Sequence, residues 1–267
     1  MPAEGVGGKS LRIESLAKTY RSRAGQESVA LAPVDCTIAA GEFVAVVGPT
    51  GCGKTTLLKI LAGVVAPSSG RALVDDAPIV GPSIDRSVVF QNFALFPWLS
   101  VLGNVEFGLR SKGIAPDECR RIAEDFLRMV GLLDAKDKRP SELSGGMKQR
   151  CAIARAFAVR PSVLLMDEPF GALDALTRRV MQRELVQIWR EHRTTVVFIT
   201  HAVEEAIFLA DRILVMTAHP GRIKAELRVE SARPRDETGP EFIQLEREIY
   251  KLLDEELVKS FDSPTAV

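Results

Sequence analysis

No charge of one sign predominates in this chain, because 35 lysines and arginines stand against 35 aspartates and glutamates and give a formal net charge of zero. A diffuse cationic field of the kind that holds nucleic acid or an anionic membrane is therefore excluded, and any such partner has to be bound locally. Cysteine is scarce as well. Cys36, Cys52, Cys119 and Cys151 lie far apart, with no CxxC pair and no His/Cys cluster at metal-ligand spacing, so they read as free thiols in a reducing compartment. Met1 to Ser10 carries three glycines and no apolar segment, which excludes a secretory signal there and leads us to expect a cytosolic protein. Long apolar runs are missing too. The longest uncharged stretch is the nineteen residues Ser87 to Val105, but Gln91, Asn92, Pro97, Ser100, Gly103 and Asn104 interrupt it, so it cannot satisfy a backbone in hydrocarbon. Neither repeats nor low-complexity tracts occur.

What is present is a profile of 267 residues with 46% apolar, 26% charged and 6% aromatic side chains, which suits a soluble globular protein with a sizeable core. Short apolar runs alternate with helical patterns: Phe43 to Val47 before a glycine-rich turn, Val163 to Met166 before two acids, and Thr195 to Thr200 before a histidine. Continuously apolar strands are those of a parallel sheet covered on both faces, so the fold class expected is α/β. From Gly108 to Arg139 the pattern turns charged and helical, with Ile122, Phe126, Met129 and Val130 on one expected face behind Pro116-Asp-Glu118. We expect a nucleotide-binding core over 1–91 and 147–230 and a helical insertion over 92–146. An edge strand is expected over Arg222 to Val229, and a charged tail over 231–267 with a helix from about Gly239 to Lys259.

The chemistry is carried first by Gly48-Pro49-Thr50-Gly51-Cys52-Gly53-Lys54-Thr55-Thr56, which fits G-x-x-x-x-G-K-[ST] between a strand and a helix. Its glycines let backbone amides curl around a triphosphate at the positive end of a helix. Lys54 reaches the β and γ phosphates, and the Thr55 hydroxyl suits Mg²⁺. Asp167 and Glu168 follow an apolar strand, at the end where ligands sit in open α/β sheets. Asp167 suits Mg²⁺ coordination, and Glu168 is the candidate general base for an attacking water.

Leu143-Ser-Gly-Gly-Met-Lys-Gln-Arg150 places Gly145 twenty-three residues before Glu168, and it resembles the signature motif of ABC ATPases. Tyr20, Gln91 after Val88-Val-Phe90, Ala172-Leu-Asp174 and His201 stand in that family's order. The resemblance covers about residues 10 to 230. It implies a P-loop core with a mainly parallel sheet, antiparallel edge strands and an ABC-type helical subdomain. It also implies a head-to-tail homodimer in which each ATP lies between Lys54 of one subunit and Ser144, Gly145 and Gly146 of the other. Tyr20 would stack on adenine, Gln91 would bind Mg²⁺ or the attacking water, His201 would contact the γ phosphate, and Asp174 would connect the two sites. Two positions depart from the broad pattern: Met147 replaces the commoner Gln, and Ala202 stands where an Asp is usual.

Phe93 to Val105, which carries two phenylalanines and Trp98 without a charge, reads as core of the insertion or as a docking site. Phe96-Pro-Trp-Leu-Ser-Val-Leu-Gly-Asn104 together with Ala218-His-Pro-Gly-Arg-Ile223 resembles the nitrate, sulfonate and taurine importer ATPases, in which this surface receives a permease. The resemblance thus implies an ATP-hydrolysing subunit at the cytoplasmic face of the plasma membrane, with a permease and an extracytoplasmic solute-binding protein as partners. The alternative is a soluble ABC ATPase acting on nucleic acid or ribosomes. That role would need a basic face, a long coiled-coil insertion or two fused ATPase units, none of which is visible, so no nucleic-acid partner is expected.

Overall fold

A computed structural model describes residues 7–262. In chain order its elements are β1 (Leu11–Arg21), β2 (Glu27–Ile38), β3 (Phe43–Val47), α1 (Lys54–Leu61), β4 (Ser69–Val74), β5 (Ala77–Pro78) and β6 (Arg86–Val89). There follow α2 (Val101–Ser111), α3 (Pro116–Met129), α4 (Gly145–Ala158), β7 (Val163–Asp167), α5 (Ala175–His192) and β8 (Thr195–Ile199). The chain ends with α6 (Val203–Leu209), β9 (Arg212–Met216), β10 (Ile223–Arg228) and α7 (Pro240–Asp262). Among the described residues no helix is long and apolar enough to cross a membrane. The chain forms two compact units, one of residues 83–195 with the short N-terminal stretch, the other of residues 9–82 and 196 onward.

In the unit that holds β1 to β5, β2, β1, β4 and β5 form an antiparallel sheet in that order, while β10, β9, β3 and β8 run side by side. β3 pairs parallel with both β8 and β9, and β10 pairs antiparallel with β9. All five residues of β3 and of β8 are buried, which is why both read as unbroken apolar runs. Asp211 fixes the register at one end, its carboxylate accepting from the Phe43 amide at 2.9 Å. The expected edge strand is β10, and the expected C-terminal helix is α7, which buries Phe242 and Ile249. Lys224 on β10 holds α7 through Glu255 and Glu256, each at 2.8 Å.

In the other unit β6 and β7 pair parallel, and α2, α3 and α4 pack on one another. Gly108 on α2 permits the close approach to α4, since a Cβ there would lie 2.4 Å from Val159 Cγ1. Ser100 caps α2 by accepting from the Gly103 amide at 3.1 Å. The buried face of α3 is Cys119, Ala123, Phe126 and Leu127, continued by Val130. Ile122 and Met129, expected on that face, are only half-buried. Phe126 and Val130 keep to the expected face, while packing extends the buried stripe over Cys119, Ala123 and Leu127 and leaves Ile122 and Met129 partly covered.

Candidate functional site

The phosphate-loop candidate sits between β3 and α1. Gly51 and Gly53 have φ of 79° and 92°, a left-handed backbone that glycine adopts without a Cβ penalty. At Gly53 a Cβ would also lie 2.6 Å from the Ala30 carbonyl oxygen, so the turn is closed to any larger residue. The Lys54 ammonium folds back into the loop, donating to the Gly48 carbonyl at 2.7 Å and the Pro49 carbonyl at 2.9 Å. Thr50 and Gly51 form its exposed crest, and Thr55 and Thr56 are half-buried in the first turn of α1. Cys52 turns inward and is 1% exposed, with its sulfur 3.7 Å from Lys54 Nζ. Burial pushes the Cys52 thiol up, opposed by the neighbouring ammonium.

The same unit carries Tyr20 and His201. Tyr20 stands on β1 with 41% exposure, and the Lys18 ammonium lies 5.1 Å from its ring centroid. The cation thus sits on one face of a partly exposed ring. His201 is exposed between β8 and α6. Thr200 organises that corner: its hydroxyl accepts from the Ala202 amide at 3.0 Å and donates to Glu205 at 2.7 Å.

The other unit brings Gln91 to Glu168, the amide nitrogen donating to the carboxylate at 3.2 Å. Asp167 is buried at the end of β7, and Glu168 follows it with φ of 47°, a strained conformation typical of residues held for function. Ser144, Gly145 and Gly146 open α4. The Ser144 oxygen caps the helix by accepting from the Met147 amide at 3.3 Å, which leaves its hydroxyl proton to donate outward. A Cβ at Gly146 would meet Leu173 Cδ2 at 3.4 Å and the Ala172 carbonyl oxygen at 3.5 Å. Asp174 caps α5, accepting from the Thr177 amide at 3.0 Å and its hydroxyl at 2.7 Å, and these bonds hold its carboxyl below the usual range.

A family description, "ABC transporter", matches residues 31–171. The chain belongs to the ABC transporter ATP-binding family. The bicarbonate transport ATP-binding protein CmpD of Synechocystis sp. is 48% identical over 229 residues, 85% of this chain and 81% of that protein. The nitrate import ATP-binding protein NrtD of Synechococcus elongatus is 43% identical over 250 residues, 91% of each chain. Among solved structures, the dimeric post-hydrolysis state of the ATP-binding cassette MJ0796 bound to ADP and Pi superposes with a TM-score of 0.76 at 32% identity, covering 83% of this chain and all of that one. The fold is that of an ABC ATPase, and the chain is an ATP-hydrolysing enzyme.

Some side chains that shape this ABC ATPase escaped the sequence reading. Asn104, fully buried, staples the segment before α2, accepting from the Phe96 amide at 2.8 Å and donating to the Ser100 carbonyl at 3.0 Å. Thr200 and Glu205 stand five apart, outside the three-residue spacing of a capping box, so no local pattern marks them. The uncharged segment itself divides: Val101, Leu102 and Val105 are buried, whereas Trp98 is 67% and Phe107 46% exposed. Phe96 joins the exposed pair, its ring centroid 5.5 Å from Trp98 and 4.4 Å from Phe107.

Proposed function

We propose that this ABC ATPase is the energy-coupling subunit of an importer for a small anion, peripheral to the cytoplasmic face of the membrane through a permease, with an extracytoplasmic solute-binding protein delivering the cargo. The cargo classes named for its relatives, nitrate and bicarbonate, support an inorganic oxyanion; sulfonates share its charge, and zwitterionic taurine shares the compact sulfonate group. The observation that carries the docking half of this reading is the cluster of exposed Trp98 and Phe107 around half-buried Phe96. Contiguous aromatic surface on an otherwise polar protein is what a partner helix covers.

In this reading ATP is bound by the Gly48 to Thr56 loop with Tyr20 against the adenine. Two copies associate head to tail, and Ser144, Gly145 and Gly146 of one copy meet the nucleotide held by Lys54 of the other. The donor chemistry fits Mg²⁺. The Thr55 hydroxyl, the Gln91 amide oxygen and the Asp167 carboxylate are each of the oxygen type that a hard cation takes. When bound, the cation would neutralise charge on the transferred phosphoryl group. Glu168 accepts the proton of the attacking water, Gln91 orients that carboxylate, His201 contacts the γ phosphate, and Asp174 links the paired sites.

The test is co-purification from detergent-solubilised membranes with tagged wild type and a Trp98→Ala/Phe107→Ala variant. The expected result is a polytopic membrane protein, identified by mass spectrometry, that the wild type captures and the variant loses. Capture of ribosomes or nucleic acid alone would replace the importer reading with the soluble one, leaving the ATPase untouched.

A further inference from the structure

We propose that Arg155 is the positioning residue that holds Gln91 for catalysis, by clamping the turn that carries Gln91 onto the signature helix α4. The guanidinium donates from Nη1 to the Ala94 carbonyl at 2.7 Å and from Nη2 to the Phe93 carbonyl at 3.2 Å. Phe93 and Ala94 have φ of 64° and 44°, two successive left-handed residues, neither of them glycine. Such a conformation persists only where the surroundings over-determine it. Within the turn the Phe93 amide donates to the Phe90 carbonyl at 3.1 Å and the Ala94 amide to the Asn92 carbonyl at 2.7 Å. Gln91 sits inside this closed loop with its amide on Glu168.

Arg155 lies ten residues beyond Gly145 on α4, so one rigid helix carries the signature at its start and the clamp near its end. The guanidinium also lies over the Phe96 ring, 5.4 Å from the centroid, which holds it against the aromatic cluster. A planar fork can satisfy two carbonyls and stack on a ring together, whereas the point charge of a lysine cannot. The inference rests on the proposed role of Gln91, and the experiment separates the two.

Using the purified full chain, kcat and the KM for ATP would be measured for wild type, Arg155→Met, Arg155→Lys, Gln91→Ala and the Gln91→Ala/Arg155→Met double variant, with hydrogen exchange followed by mass spectrometry. Arg155→Met is expected to lower kcat tenfold or more with KM within twofold, and Arg155→Lys to fall between it and wild type. In the Gln91→Ala background the Arg155 change should cost less than twofold further, as for two residues acting through one interaction. Exchange should quicken at the 93–96 amides and stay unchanged along α4. A multiplicative loss in the double variant, a KM that rises as kcat falls, or opening of α4 as well would overturn the inference. If Gln91→Ala alone leaves turnover unchanged, the role of Gln91 fails, and the positioning proposal with it. If Gln91→Ala abolishes measurable turnover, the exchange pattern decides, with Arg155→Lys replacing Arg155→Met should the latter not fold.

Discussion

Cys52 shows how one side chain is set by its neighbours. It occupies the middle of the phosphate loop, yet its sulfur packs under the loop where a Cβ on Gly48 would come within 2.8 Å of it. The thiol therefore shapes the turn from below, and its burial disfavours the thiolate despite the adjacent Lys54. Only the thiolate reacts with alkylating reagents. A raised thiol pKa means that the reactive fraction at neutral pH is smaller than for a free cysteine and grows with pH toward and past the usual value of 9.0. Labelling of Cys52 by a maleimide, followed by peptide mass spectrometry between pH 7 and 9.5, is thus expected to be slow at first and to accelerate across the whole range. MgATP is expected to slow it further. Fast labelling that is flat with pH would show a thiol open to solvent. Cys151 and Cys36, pushed up to about 12 and about 11 by burial, are expected to lag behind it.

Helix α6 follows His201 directly, and its geometry depends on both ends. Thr200 and Glu205 organise its start, and the tail secures its finish. Arg235 is buried and donates to the carbonyls of Ile207 at 2.6 Å, Phe208 at 3.1 Å, Ser231 at 3.1 Å and Val229 at 3.3 Å. Arg233 adds the Leu209 carbonyl at 3.1 Å and the Asp211 carboxylate at 2.6 Å. Two cations at the last turn complement the negative end of the helix. Burial, with the nearby charge of Arg233, lowers the Arg235 pKa to about 10, which leaves the group protonated at neutral pH. Removing this donor strands buried carbonyls, which costs about 1–3 kcal/mol. Arg235→Met is therefore expected to lower the urea midpoint correspondingly, and Arg235→Lys to recover little of it, because one ammonium cannot reach carbonyls on two segments. An unchanged midpoint in Arg235→Met would remove this role. Nothing in the sequence marks the Arg233-Pro-Arg235 stretch as a helix cap, because the α6 carbonyls it caps lie more than twenty residues earlier.

For the whole molecule, the decisive property is the proposed ATP-dependent pairing. Glu168→Gln is expected to bind ATP without turning it over and to sediment as a dimer in MgATP. Adding Gly145→Asp should return it to a monomer that still binds nucleotide. A Cβ at Gly145 meets nothing within 4 Å, so the subunit itself has room for the side chain, while a carboxylate at that helix start repels a phosphate. A dimer that survives Gly145→Asp would exclude the signature from the interface. What the sequence by itself determined was chemistry that is local in the chain. The glycine, lysine and threonine spacing of the loop, the paired acids at the end of β7 and the serine and glycines that open α4 each lie within one short stretch of chain, so their spacing alone puts them forward as the proposed site. The buried strands were legible for the same reason, as continuous apolar runs. Tertiary structure alone decided which residues hold these parts in place. Arg155, Arg235 and Asn104 act through partners set by packing, and a guanidinium that solvates distant carbonyls looks in sequence like any other surface charge. The division of the uncharged segment into buried Val101, Leu102 and Val105 and exposed Trp98 and Phe107 follows from how α2 packs on α3 and α4, because hydropathy measures a side chain's cost in water and not the neighbour that covers it.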